Sequence, residues 1–511
     1  MRRSCANRNR NAVRTNGVRR ALKIDRLRVP EKRQRPVYEM EDKKHVKFQG
    51  RLVFVGFGSV GQGSLPLLLR HIDMPRDRIV IVTGDERGKA EAEHYGIKFV
   101  VKPLTRDNYR AVLDPLVGKG DFLLNLSVDV GSAALVELCY EKGVMYLDTC
   151  IEPWLGGYTD QSVSPSRRSN YGQREEVLEL RKKYPRGGPT VLLTHGANPG
   201  LISHWVKQAL VNLAGDILGK SDVPQGREQW ARLAMALGVK VVHCAERDTQ
   251  VANPRKQRGE FVNTWSVDGF IGEGSQPCEL GWGSHEKHFP RDGMEHDYGC
   301  KAAIYLTRPG ASVKVRSWTP NEGHYHGLLI THSEAISISD YYTVRDGERI
   351  LYRPTCHYAY HPCDDTVQSV HELAGKNWIG QHKRRILMEE IYDGVDELGA
   401  LLMGHARGGY WYGSQLSVHE ARKLAPFNNA TSLQVAAGVT GGVIWAMENP
   451  EVGILDPDDI DFRRVLEIAS PYLGRQVGVY TDWTPLQGRN HPFPEDLDAS
   501  DPWQFKNFRV V

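Results

Sequence analysis

The run Gly56-Phe57-Gly58-Ser59-Val60-Gly61 stands between an apolar stretch, Leu52 to Val55, and an apolar, helix-like stretch from Leu65 to Ile72. That is the context of a dinucleotide-binding turn: Gly56 permits the tight bend, Gly58 lets backbone N–H groups approach a pyrophosphate, and Gly61 lets the helix pack against its strand. The N-terminus of the helix adds partial positive charge for the phosphates. A second set of residues offers different chemistry. Asp129, Glu152, Glu246 and Glu273 each fall near a strand end or a glycine turn, with Trp154 and Trp265 beside them in sequence. A carboxylate next to an indole suits an ammonium ligand, because a desolvated cation over the ring face gains about 0.5 to 2 kcal/mol. Any one of these residues reads equally well as a capping acid or a core tryptophan; the group carries the reading.

Other constellations are weaker. The second strand of a dinucleotide domain ordinarily ends in an acid that holds the ribose hydroxyls, but here Val82 is followed by Thr83-Gly84-Asp85-Glu86-Arg87. Thr83 takes the expected place. Asp85 substitutes by a two-residue shift, or Arg87 and Lys89 favour the extra phosphate of NADP; the sequence leaves both open. Cys356-His357-Tyr358-Ala359-Tyr360-His361-Pro362-Cys363 has soft and imidazole ligands within eight residues, yet its spacing fits no structural zinc pattern, so we read it as a loop with buried polar aromatics and expect no metal. Neither a GxSxG elbow nor a P-loop occurs.

The elements that must position these groups follow from alternation of short β-branched runs with helix-length stretches after residue 50, which indicates a parallel α/β sheet. Strands are expected at Leu52–Val55, Ile79–Val82, Phe122–Leu126, Val144–Leu147, Thr190–Leu193 and Val239–His243. Polar clusters follow them: Ser127 and Asp129, then Asp148-Thr149 with Glu152, then His195 to Gly200, then Glu246-Arg247-Asp248. Ligands bind outside the carboxyl ends of such strands, so the clusters outline one site. Beyond about residue 200 the texture shifts to longer strands and loops rich in glycine and aromatics, the mark of a second α+β domain. Ser432 to Trp445 reads as a buried helix rich in small residues.

With 511 residues the chain is expected to hold two or three domains, and no run of 18 apolar residues is present to span a membrane. Eight scattered cysteines read as reduced thiols of a cytoplasmic protein. Residues 1 to 39 hold 13 Lys and Arg against 3 acids, so this tail carries +10 and the remainder −6 of the net +4. The mildly acidic body favours a cationic ligand over nucleic acid. The tail lacks apolar periodicity and reads as disorder or an over-long start, with Met40 a sensible beginning, in preference to a targeting segment.

The strings RLVFVGFGSVGQG, NLSVD, YLDTCIEPWLG, GANPGLISHWVKQALVNLA, AERDTQ, FVNTWSVDGF, CHYAYHPC, YWYGSQLS and VYTDWTPLQGR are similar, in the same order, to the bacterial homospermidine synthases of the saccharopine dehydrogenase-like group. The resemblance covers roughly residues 46 to 511. It leaves out the basic extension, read above as disordered and bounded here at 1–45, and implies a Rossmann-type NAD-binding domain over 46–197 and an α+β substrate and dimerisation domain over 198–511 whose last elements can return to the first. It further implies a homodimer and an NAD-dependent aminobutyl transfer: two putrescines, or spermidine and putrescine, give sym-homospermidine with release of ammonia or 1,3-diaminopropane. NAD is expected to oxidise the donor amine to an imine and, after amine exchange, to return the hydride. By resemblance Trp265 holds a cationic intermediate through its ring face, Glu246 is acid/base or ammonium anchor, Glu152 and Glu273 bind amino groups, Asn198 sits between nicotinamide and substrate, and His332 relays protons. Gly56, Gly58, Ser59, Val60, Gly61, Thr83, Ser127, Asp129, Thr149, Ala197 and Asn198 are expected to line the cofactor. A net NAD(P)-dependent dehydrogenase forming saccharopine or carboxynorspermidine is the alternative, but its carboxylated substrates call for a pocket Arg or Lys. A non-catalytic dinucleotide sensor would lack the acids around Trp265.

Overall fold

Runs such as Leu52-Val53-Phe54-Val55 and Phe122-Leu123-Leu124-Asn125 are apolar at consecutive positions, which suits strands buried on both faces. The computed structural model, which describes residues 43–184 and 187–510, assembles six of them into a parallel sheet: β1 (Leu52–Val55), β2 (Ile79–Thr83), β3 (Lys98–Val101), β4 (Phe122–Asn125), β5 (Met145–Asp148) and β6 (Val191–Leu192). Their order across the sheet is β6-β5-β4-β1-β2-β3. The order reverses between β1 and β4, the position where doubly wound sheets open a ligand crevice. Register keeps the carboxyl ends level, Val55 lying opposite both Val82 and Asn125, and Asn125 opposite Asp148. β3 had no sequence signature because, as an edge strand, its residues are half or fully exposed. A seventh strand, Ile454–Leu455, pairs with the outer side of β6 after the chain has passed through everything between.

The second sheet has eleven strands, and its centre is β7 (Val241–Asp248), held between β8 (Thr355–His361, parallel) and β9 (Val395–His405, antiparallel), with β10 (Gly408–Ser417) beyond β9. Two expectations are corrected here. The Cys356–Cys363 segment is a central strand rather than a loop: Tyr358 and Tyr360 alternate with His357, whose ring packs on His243 and Phe505. Glu246 lies inside β7, not beyond a carboxyl end, because the strand runs five residues further than the apolar stretch indicates. Three polar clusters therefore come from the first sheet and the fourth from the face of the second.

Two helices bind the sheets together. α1 (Ser59–His71) follows the glycine turn, and α3 (Ala430–Glu448) crosses the core beside it; between them in sequence, α2 (Val267–Ser275) carries Glu273. α3 starts at an Asn429–Ser432 capping box, which satisfies its first N–H groups inside the protein. By length and composition α3 alone among the described helices would pass for a membrane span, but 94% of its most apolar stretch is buried within the protein. Glycines on α3 permit backbone contact: a Cβ on Gly438 would lie 2.0 Å from the Gly196 carbonyl oxygen, and one on Gly442 2.6 Å from His195 Nδ1. The described residues pack as one unit. The extension expected over 1–45 falls almost wholly outside the described residues.

Candidate active site

A cavity of about 610 Å³ opens at the sheet reversal and runs from the glycine turn to the face of β7. At its first end Gly56 has φ +85° and a Cβ there would stand 2.7 Å from the Ser127 backbone, so only glycine fits the bend. Gly58 differs: its backbone is extended and nothing lies within 4 Å of a Cβ built on it. That open space, with Ser59 and Val60 at the start of α1 lining the same wall, fits a pyrophosphate against backbone N–H groups. Gly61 does not line the cavity; its missing side chain leaves room for the Phe57 ring, 2.9 Å from a built Cβ. Gly58→Ala is therefore expected to fold normally and bind the dinucleotide at least about tenfold more weakly. Equilibrium titration with the cofactor measures this, and unchanged affinity would move the phosphates elsewhere.

Thr83 ends β2, buried, and Asp85 takes hydrogen bonds from the Arg87 backbone N–H (2.9 Å) and Nε (2.8 Å). The guanidinium beside it holds the Asp85 carboxyl below the usual carboxylate range. Arg87 is thus paired with Asp85 at the cavity wall, in an exposed ion pair.

A buried chain of hydrogen bonds fixes the loops beyond β4, β5 and β6. Ser127 Oγ donates to Asn125 Oδ1 (2.6 Å), Asn125 Nδ2 to Tyr146 Oη (3.0 Å), Tyr146 Oη to Asp148 Oδ2 (2.8 Å), and the Thr194 N–H to Asp148 Oδ1 (2.6 Å). Burial pushes Asp148 up to about 7. Thr149, Ala197 and Asn198 meet at the cavity wall through this scaffold. His195 Nε2 contacts His204 Nε2 at 2.9 Å beneath the loop, and His195 Nδ1 meets the Gly438 carbonyl at 3.0 Å.

At the other end the carboxylates converge. Glu152, almost fully buried, is pushed up to about 8 by burial and by the neighbouring Glu273 and Asp129. Asp129, in the left-handed region at φ +63°, is raised by burial and partly offset by Arg384. Glu273 accepts from His332 Nε2 at 3.0 Å, while His332 Nδ1 meets Glu334 at 3.2 Å. Burial alone would lower that imidazole, but the two carboxylates raise it to about 10, so it is a cation at neutral pH. Glu246 accepts from Asn198 Nδ2 (2.9 Å) and from the Tyr358 hydroxyl on the same oxygen. Burial pushes it up to about 8 against those hydrogen bonds. Trp265, half-buried at the start of α2, donates from Nε1 to Tyr360 Oη at 3.2 Å. Arg384 at the mouth is ion-paired with Asp268.

All the expected side chains thus share one cavity, Gly61 excepted. Trp154 is placed elsewhere: it packs on Gly131 and Tyr109 and does not line the cavity. Tyr358 lines the cavity and was not anticipated; strict alternation of aromatics within 356–361 was the available signal, masked by the interleaved histidines.

Residues 52–192 match the saccharopine dehydrogenase NADP binding domain and residues 196–479 the saccharopine dehydrogenase C-terminal domain. A homospermidine synthase of Blastochloris viridis is 53% identical over 480 residues, 93% of this chain and 99% of that one. One from Mesorhizobium japonicum is 51% identical over 468 residues, covering 90% and 96%. The solved homospermidine synthase of Legionella pneumophila, in complex with NAD, superposes with a TM-score of 0.85 at 47% identity over 92% of this chain and 99% of that one.

Proposed function

The chain belongs to the saccharopine dehydrogenase family, in its homospermidine synthase branch, and from that membership we propose that the cavity transfers an aminobutyl group between diamines with NAD as a recycled cofactor. Two putrescines give sym-homospermidine and ammonia; spermidine as donor releases 1,3-diaminopropane instead. The observation that carries the reading is the cavity lining: Asp129, Glu152, Glu246 and Glu273 around an indole, with the nearby cations Arg384 and His332 already paired to carboxylates. Such a wall attracts ammonium groups and repels the carboxylated substrates of a saccharopine-type dehydrogenase. Arg87, engaged by Asp85, supports NAD over NADP.

When bound, NAD accepts a hydride from the carbon bearing the reacting nitrogen and later gives it back. The remaining work falls to side chains. Hydride leaves only from a neutral amine, so Glu246 takes a proton from the substrate ammonium and returns one when the leaving amine departs. Asn198 holds that carboxylate from the cofactor side. Glu152 and Glu273 hold the remote ammonium, and the Trp265 face stabilises the cationic iminium between the two transfers. His332, held as a cation by Glu273 and Glu334, keeps its proton at neutral pH and contributes a fixed positive charge between those two carboxylates.

The carboxylate environment has a pH signature. Because Glu152 rests near 8 in the free enzyme, a diamine must displace its proton, so affinity for putrescine is expected to rise by up to ~10-fold per pH unit below pH 8 and then level off. Calorimetry in buffers of differing ionisation heat reads the released proton; binding without proton release would remove Glu152 from the ammonium site.

The experiment that tests the function is incubation with putrescine and catalytic NAD. Homospermidine in molar excess over NAD, without accumulating NADH, is the expected outcome, while NADH rising with product would make the protein a net dehydrogenase. A homodimer in the cytoplasm is part of the same proposal, supported by the sequence resemblance, and light scattering at twice the chain mass checks the assembly.

A further inference from the structure

β8 presents Tyr358 and Tyr360 on the same face, stacked in parallel with centroids 5.0 Å apart and planes 5° apart. Each hydroxyl meets a different residue of the proposed machinery. Tyr358 donates to Glu246 Oε2, the oxygen that also accepts from Asn198, while Oε1 takes no hydrogen bond from the described residues. Tyr360 accepts the indole N–H of Trp265. The Tyr358 ring also lies 4.3 Å from the His332 ring, so it stands between the two carboxylate groups of the cavity. Both tyrosines are buried on β8, an interior strand of the larger sheet paired along its length with β7, which leaves them no freedom to swing away.

We propose that this tyrosine pair is a positioning device for the reaction: Tyr358 locks Glu246 Oε2 so that Oε1 is presented to the substrate amine, and Tyr360 locks the Trp265 ring face over the cation. The proposal rests on the reading of Glu246 as the proton acceptor. Locking one oxygen with two donors orients the carboxylate's remaining lone pairs, and a strong phenol donor favours the ionised form that can accept a proton. The groups facing Glu246 are Tyr358 and Tyr360 from β8, Cys244 and Asp248 on its own strand, Asp396 from β9, Tyr325 from the strand Gly323–Leu328, and His332. Of these Tyr358 is the one that donates to the carboxylate directly.

The test is the pH profile of kcat/KM for purified holoenzyme variants, which reports the groups of the substrate-free enzyme. Tyr358→Phe keeps the ring and removes the donor. It is expected to lower kcat/KM about 10- to 100-fold and to move the acid limb of its pH profile, expected near pH 8 in the wild type, upward by about half a unit or more, with NAD binding unchanged. Tyr360→Phe is expected to raise KM for putrescine several-fold and leave the limb in place, a split that loss of packing alone does not produce. Replacing Tyr358 by 3-fluorotyrosine preserves the fold and strengthens donation, so the limb should move downward; this variant decides the matter if Tyr358→Phe does not fold. A limb that stays fixed in both Tyr358 variants overturns the proposal. Glu246→Gln separates that failure from failure of the underlying reading: if it retains the wild-type profile, Glu246 is not the proton acceptor at all.

Discussion

Trp265→Ala is expected to reduce kcat/KM by about 30-fold or more while the protein folds and binds NAD as before. A desolvated cation over an indole is worth about 2 kcal/mol, which alone is about 30-fold. Trp265 is half-buried, at the head of α2, and closes over Gly269, where a Cβ would sit 3.2 Å from its ring. Removing it therefore opens the cavity wall to water as well. Trp265→Phe keeps a ring face but loses the hydrogen bond to Tyr360, so a milder loss, about tenfold, is expected. Steady-state kinetics on the two variants distinguish the roles; equal losses would mean that the indole fills space and does not hold charge.

The second large effect concerns stability. Gly438→Ala adds one methyl group 2.0 Å from the Gly196 carbonyl oxygen and 2.5 Å from its carbon, a backbone neighbour that has no rotamer to escape into. Overpacking of this kind costs about 3 kcal/mol, or about 3 °C in Tm for a chain of this length. Relief requires moving the 195–200 loop, which takes Asn198 away from Glu246, so kcat should fall together with Tm. Gly441→Ala in the same helix meets Val465 Cγ1 at 3.0 Å and the Val465 carbonyl oxygen at 3.2 Å, much looser contacts than at Gly438 and away from the 195–200 loop, and is expected to cost less and leave kcat intact. Melting curves and kcat measured on both variants check this.

These two positions also mark what a sequence can and cannot disclose. The glycine turn and Trp265 were legible because each sits in a local pattern, the first between a strand and a helix, the second in a string the family shares. The smallness of α3 was legible as a tendency to pack closely, but its partner, the 195–200 loop, is more than two hundred residues away. Tyr358 and Tyr360 stayed hidden for a different reason. A strand buried on both faces inside a mixed sheet need not alternate apolar with polar, and His357 and His361 flanking the tyrosines made the segment look like a loop. Trp154 misled in the opposite sense: near Glu152 in sequence, it packs against Gly131 and Tyr109 and stays outside the cavity.

The pairing of Ile454–Leu455 with β6 has a consequence for the order in which the molecule can be made. A nascent chain ending near residue 195 has every glycine and loop of the dinucleotide turn, yet its last strand keeps an unpaired edge, and α3, against which α1 packs, has not yet been synthesised. Edges of that kind template association with other chains. The ribosome must release some 260 further residues before the edge is covered, so this enzyme assembles late and as a whole, and a fragment cut between its two family segments should collect in inclusion bodies and not as a free nucleotide-binding module.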